Sequence, residues 1–310
     1  MAELVEVTDD VEAKVGRATV RRALPCRRRK ADDRRTIGAW CFADHIGPVA
    51  AEVGDPGIGP HPHIGLQTVT YLLEGRLLHR DSVGSEQLIR PGQVNLMTAG
   101  RGVVHAEEPV DNYDGRYHGM QLWVAMPEET RHDPPAFEHH RELAQLELGY
   151  ARLSVLAGEL HGARSRARTD TELVGADLVL RGRSGSLTSR SEIPLNSSFE
   201  HGVMVFEGEV SIDGEAIVPG RLAYMEPGRS NVEFSTSGSA RALLVGGVPW
   251  PEPIKMWWNF VGRTWDEMEA ARTDWEGSRA GPADSQRFGP TGSKMDSIPA
   301  PPILPVRSPR

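Results

Sequence analysis

A chain of 310 residues exceeds the roughly 250–300 residues at which one hydrophobic core stops growing, so two domains are expected. A formal net charge of −8 argues against binding nucleic acid by neutralising phosphates, and no run of 18 or more apolar residues offers a membrane span. Cys26 and Cys41 form no CxxC pair, so neither a disulfide framework nor a zinc knuckle is encoded.

Taken in chain order, the first fifteen residues, MAELVEVTDDVEAKV, carry five acidic groups and lack the apolar stretch of a secretory signal. A cytoplasmic location is the expectation. The run Arg27-Arg28-Arg29-Lys30 stands beside Asp32 and Asp33, which reads as a solvated turn rather than a nucleic-acid patch. From there to residue 255 helical periodicity is scarce, and short alternating segments recur between Gly, Pro, Asp and Asn. Strands are expected at Gln67 to Leu73, Val94 to Met97, Gly119 to Ala125, Gly202 to Phe206 and Ala242 to Val245. The fold class is all-β.

An internal echo divides the chain. LLEGRLLHRDSVGSEQLIRPGQVNLM, around Gly75 and Pro91, resembles VFEGEVSIDGEAIVPGRLAYM, around Gly208 and Pro219. Each copy reads strand, EG turn, strand, PG turn, strand, with glycine where a tight turn needs positive φ and proline where φ is preset. Two copies imply a duplicated double-sheet jelly roll, an architecture that includes cupins. The polar, Pro-bearing stretch around MPEETRHDPPAF connects the halves. The expected organisation is a metal-binding domain at 1–127, a linker at 128–148, a second domain at 149–276 and a Pro/Gly/Ser-rich tail at 277–310. Near the end of the second domain, Thr264 with Glu267 three residues later forms a capping box for a short helix from about Trp265. The tail has few large apolar groups and is expected to pack loosely.

The residues that carry chemistry lie in the first half. GPHPHIGLQTVTYLLEG places His61 and His63 two apart, and GRGVVHAEE does the same for His105 and Glu107. Alternate side chains of a strand share a face, so two neighbouring strands can present all four ligands inward. Three imidazoles and one carboxylate suit a borderline divalent metal such as Fe(II), with shell positions open to water or O2, and zinc fits the same set. The second half has no HxH, and His201 there reads as structural, with no metal expected. His118 reads as a core histidine, His139 and His140 as surface linker residues, and Trp257, Trp258, Trp265 and Trp275 as packing groups.

Several segments together resemble the pirin family of the cupin superfamily. VRRALPCRRR, GAWCFADHIGP, HPHIGLQTVTYLLEG, HRDSVGS, RPGQVNLMTAGRGVVHAEE and YHGMQLWVAMP occur in the family's order, and the likeness spans roughly residues 17 to 275. It implies two tandem cupin domains, each a double-stranded β-helix or jelly roll, with a short C-terminal helix. It also implies one iron held by His61, His63, His105 and Glu107, with Mn, Ni and Zn as alternatives. The function implied is a quercetin 2,3-dioxygenase-type oxygenase acting on a small aromatic, flavonol-like substrate. Glu107 would double as a catalytic base. The alternative is a non-catalytic, iron-dependent regulator that binds a transcription factor or metabolic enzyme. Direct contact with nucleic acid or a membrane is not expected. Two positions depart from the pattern. Gln67 stands where general cupins have a glutamate, and Ile64 where pirins often have arginine, a change expected to bear on the pocket mouth or a partner surface.

Overall fold

The computed structural model describes residues 6–303 except 16–17, 26–35, 51–56, 111–112, 114, 183–187 and 282–286. The arginine-rich run 27–30 therefore lies outside the described residues, as does Cys26. All five expected strands fall within observed ones: Leu66–Glu74, Val94–Thr98, Arg116–Ala125, Glu200–Glu207 and Ala240–Gly247.

Each half is a two-layer sandwich, and the two are built alike. In the first, a large sheet runs in the order Ala136–His140, Val94–Thr98, Leu66–Glu74, Arg116–Ala125, Trp40–Ala50, Ala18–Leu24, Val11–Val15. It is faced by four strands ordered Ile58–His63, Val103–Pro109, Leu77–Asp81, Glu86–Ile89. In the second half Arg221–Met225, Glu200–Glu207, Ala240–Gly247 and Leu173–Leu180 repeat the central order of the large sheet, and Ser189–Pro194, Asn231–Thr236, Val210–Ile212, Glu215–Ile217 repeat the small one. Matching strand order is what a duplicated sequence produces, so the chain is two tandem jelly rolls. Two elements cross the expected boundaries. Glu6–Asp9 pairs with Arg221–Met225 and so belongs to the second sandwich. The connection at 128–148 is structured, with Ala136–His140 on the first large sheet and Ala144–Leu148 on the second.

The two large sheets pack face to face over one shared core. Trp40, Val69, Tyr71, Leu96 and Leu122 from the first half meet Leu156, Leu173, Met204, Leu222 and Leu243 from the second. Trp40 is 1% exposed, and its indole donates to the carbonyl of Val174 at 3.0 Å, satisfying the polar edge of an otherwise apolar group. Gly175 belongs beside it because a Cβ there would stand 2.7 Å from the indole ring. The Tyr71 hydroxyl donates to Asp177 at 3.0 Å, and Arg241 grips the same carboxylate at 2.8 and 2.6 Å.

The helix Trp265–Ala280 begins as the capping box requires, with Thr264 Oγ1 accepting from the Glu267 amide at 3.2 Å. No described helix is long and apolar enough to cross a membrane. The expectation of a loose tail from 277 is corrected: the helix runs on to Ala280, and residues 287–303 pack against the fold. Phe288 and Ala300 are buried with Ile64, Val104, Phe260, Met268 and Trp275. Backbone pairing supplies what composition did not: Ile298 N donates to Pro60 O, the Trp275 indole to Ile298 O, and Ala300 N to Glu276 Oε1. The tail thus lies against the strand that carries His61 and His63. Gly59 allows the approach, since a Cβ there would fall 2.2 Å from the carbonyl of Asp296.

Because the shared core belongs to both halves, Trp40→Ala should destabilise them together by about 3–5 kcal/mol. Urea unfolding followed by circular dichroism should keep a single transition at a lower midpoint. Two separated transitions would show that the sandwiches unfold independently.

Candidate metal centre

Ile58–His63 and Val103–Pro109 are adjacent antiparallel strands in which Val103 pairs with His63 and His105 with His61. Paired residues project to the same face, so the three histidines turn together into the first sandwich. Gly65 ends the ligand strand with φ near 66°, and a Cβ at that position would stand 2.1 Å from the carbonyl of Val261. The three rings are buried, with centroids 4.3 to 5.1 Å apart, and one nitrogen from each lies within 4.8 Å of the others.

Hydrogen bonds settle which nitrogens face the middle. A carbonyl only accepts, so His61 Nδ1 donates to Gly59 O at 2.8 Å and His63 Nδ1 donates to Asn259 O at 3.0 Å. Their Nε2 atoms are left with lone pairs, the arrangement that backbone carbonyls commonly impose on ligating histidines. His63 Nε2 is 3.1 Å from His105 Nε2. Burial lowers the pKa of His61 to about 4, against a rise from the Gly59 hydrogen bond and with a further fall from His79. Burial also drives His63 and His105 well below 6.5, helped by the neighbouring rings. Three neutral imidazoles converging on one point can hold a divalent metal ion, so the donor set fits the group.

Glu107 is not part of that converged set. Its carboxyl is buried on the same strand as His105, and its Oε1 lies 3.5 Å from the Thr70 hydroxyl. Burial raises its pKa, with His79 and Thr70 pulling it partly back. The pairing of the two strands is irregular here: Glu107 faces Ile58, three residues before His61. Gln67 lies on the other face of its sheet. It pairs with Val124, which belongs to the shared core, and its amide donates to Thr98 Oγ1 at 3.0 Å and towards Arg168 O. Its neighbour Thr68, paired with Met97 and Trp123, takes the inward place.

His79 and Asp81 escaped the sequence reading, although they form a third i, i+2 pair. They are the strand partners of Glu107 and His105 respectively. His79 Nε2 is 3.1 Å from Asp81, its ring stacks on Phe137 with centroids 4.5 Å apart, and it lies 5.3 Å from His105. Asp81 also accepts from the amides of Val83 and Ser85; burial pushes its pKa up, but His79 and Ser85 together hold it below the usual carboxylate value.

Elsewhere, His118 is buried with its Nε2 2.8 Å from that of His45. His139 and His140 lie half-buried in a strand, bonded to Asn95 and Glu138, and are not surface linker residues. Trp275 is buried and Trp257 and Trp258 pack beside it, whereas Trp265 is among the exposed apolar groups. Ile64 lies neither at a pocket mouth nor on a partner surface. It is buried against Phe260, in the cluster that anchors the tail.

Two jelly rolls in tandem, the first with a histidine cluster inside, define a double-cupin protein. Comparison with known proteins narrows this. The profile of the Pirin family matches residues 19–124, and that of the Pirin C-terminal cupin domain matches residues 186–281. A Pseudomonas aeruginosa protein with the provisional name quercetin 2,3-dioxygenase is 42% identical over 92% of this chain and 84% of its own. A pirin-like protein from Caulobacter vibrioides is 37% identical over 89% of this chain and 94% of its own. A crystal structure of quercetin 2,3-dioxygenase from Acinetobacter baumannii superposes with a TM-score of 0.88 at 37% identity, covering 99% of this chain and 97% of that one. The chain belongs to the pirin family.

Rings that burial keeps unprotonated have no protons to release when a metal binds. Iron affinity measured by equilibrium dialysis should therefore change little as pH falls from about 7 to 5.5, then drop towards the value near 4 at which His61 protonates. An affinity already falling through 6.5, and doing so equally in Glu107→Gln, would mean that the rings titrate as exposed histidines do.

Proposed function

We propose that the chain is a mononuclear metal-dependent oxygenase of the quercetin 2,3-dioxygenase type, acting on flavonol-like substrates in the cytoplasm. In this reading His61, His63, His105 and Glu107 hold one divalent metal, with Fe(II) preferred over Mn, Ni and Zn. The observation that carries it is the convergence of three neutral imidazoles in a buried site. Names borne by the Pseudomonas and Acinetobacter relatives support the substrate class. The assignment of 1–127 as the metal-binding unit and 149–276 as its degenerate partner is part of the same proposal, with Glu6–Asp9 lent to the second sheet.

A bound metal would supply Lewis acidity and orient a substrate oxygen. The protein supplies the rest. Gly59 and Asn259 carbonyls aim two of the rings. Trp123, stacked on Phe42 at 4.0 Å and edge-on to His63, keeps that side of the site dry. Glu107, with its pKa raised by burial, would take a proton from a substrate hydroxyl. It lines a mostly apolar cavity of about 80 Å³ with Ile46, Val49, Ile58, Leu72 and Leu77.

That volume favours a second reading. Pockets that enclose drug-sized ligands measure roughly 300–1,000 Å³, so a flavonol at Glu107 must displace wall side chains. So small a cavity suits a metal-dependent regulator that binds a transcription factor or metabolic enzyme.

Metal analysis of the purified protein together with oxygen uptake on a flavonol panel separates the two readings. Oxygenase function requires one metal per chain and flavonol-dependent uptake, whereas metal without uptake favours the regulator. Glu107→Gln should weaken iron binding by more than the roughly 10–100-fold that loss of a supporting partner costs, and should abolish flavonol oxidation. Gln67→Ala, on the outward face, should do much less. The opposite ranking of the two iron affinities would remove Glu107 from the ligand set.

A further inference from the structure

The second sandwich has an opening that the metal chemistry does not use. A cavity of about 890 Å³ lies at its end, lined by residues between Gly158 and Val174 and between Pro194 and His201. The size falls within the range of small-molecule pockets. His201 stands in this lining, fully buried on the side of its strand that carries Val203 and Val205 into the interior. Neither of its ring nitrogens has a hydrogen-bond partner, and Thr171 Oγ1, also in the lining, has none either. Buried polar atoms are rarely left so, and two on one ring call for an occupant. The ring is fixed in place, because it fills the space beside Gly246, where a Cβ would fall 2.5 Å from Cδ2.

We propose that this cavity is a second small-molecule site, for an uncharged phenolic compound whose hydroxyl meets His201 and Thr171. A phenol hydroxyl both donates and accepts. Burial and the Arg229 charge lower the His201 pKa to about 4, so near neutral pH the imidazole is neutral, and a hydroxyl can accept from its N–H or donate to its lone pair at one ring nitrogen. The ring of the ligand would lie among Leu160, Leu173, Leu195 and Phe199, which are buried in the lining. Its lack of charge follows from the remaining groups. Arg164 pairs with Glu159 at 3.0 Å and Arg168 with Asp170 at 2.7 Å, while Arg166 and Glu172, both exposed, add one charge of each sign. The site is independent of the proposed oxygenase activity.

The test uses full-length protein with ¹⁵N-labelled histidine, in metal-loaded and metal-free forms, titrated with phenol, benzene and glucose as probes. His201 ring signals are assigned by their loss in His201→Phe. Phenol should shift them saturably and equally in both forms, with benzene and glucose binding at least about tenfold more weakly, since each lacks half of the contacts. Thr171→Val, in a loop, should weaken phenol binding several-fold with metal content unchanged, and stands in if His201→Phe fails to fold. In that case binding is read by titration calorimetry, with Thr171→Val compared against the unsubstituted protein. The proposal is overturned by phenol leaving the His201 signals unmoved at tens of millimolar, by equal binding of the three probes, or by a response that vanishes with the metal.

Discussion

The register between Ile58–His63 and Val103–Pro109 is the constraint on which the first half depends. A strand has a period of two, so sliding either strand by one residue would turn its ligand-type side chains to the opposite face. With His63 opposite Val103 and His61 opposite His105, the three rings meet inside instead. Their burial then makes them neutral, and neutrality leaves them able to hold a metal ion. The carbonyls of Gly59 and Asn259 orient two of the rings.

The second half shows what the same scaffold does without that constraint. The strand matching Ile58–His63 is Ser189–Pro194, where burial alternates and Ile193 takes an inward place. Around it the interior is a continuous apolar cluster with Val203, Val205, Val210, Ile212, Val232 and Phe234. Fold and chemistry are thus separable, since a duplicated backbone carries a polar centre on one side and a plain core on the other.

Much of this was legible in the sequence. Strand positions could be read because β-branched alternation and EG or PG turns are local signals, and the repeat exposed the duplication. His61, His63 and His105 could be read because paired spacing and strand geometry coincide. What escaped depends on distant partners. Gln67 faces outward because its strand starts just after the Gly65 turn, which sets its phase. His79 and Asp81 gain meaning only from strands that pair with Val103–Pro109. Glu6–Asp9 joins a sheet whose other members lie more than a hundred residues away, and no local pattern marks that. The tail looked too poor in apolar groups to pack, yet it docks through backbone bonds and the single ring of Phe288.

The bond from Ile298 to Pro60 also orders events during synthesis. A ribosome adds about 5–20 residues per second, so the strand bearing His61 and His63 waits more than ten seconds for the segment that lies against it. Throughout that interval the growing chain holds the strand of His61 and His63 without its outer brace. Packing around this strand is thereby complete only once the segment around Ile298 has been made, long after the strands of the first sandwich.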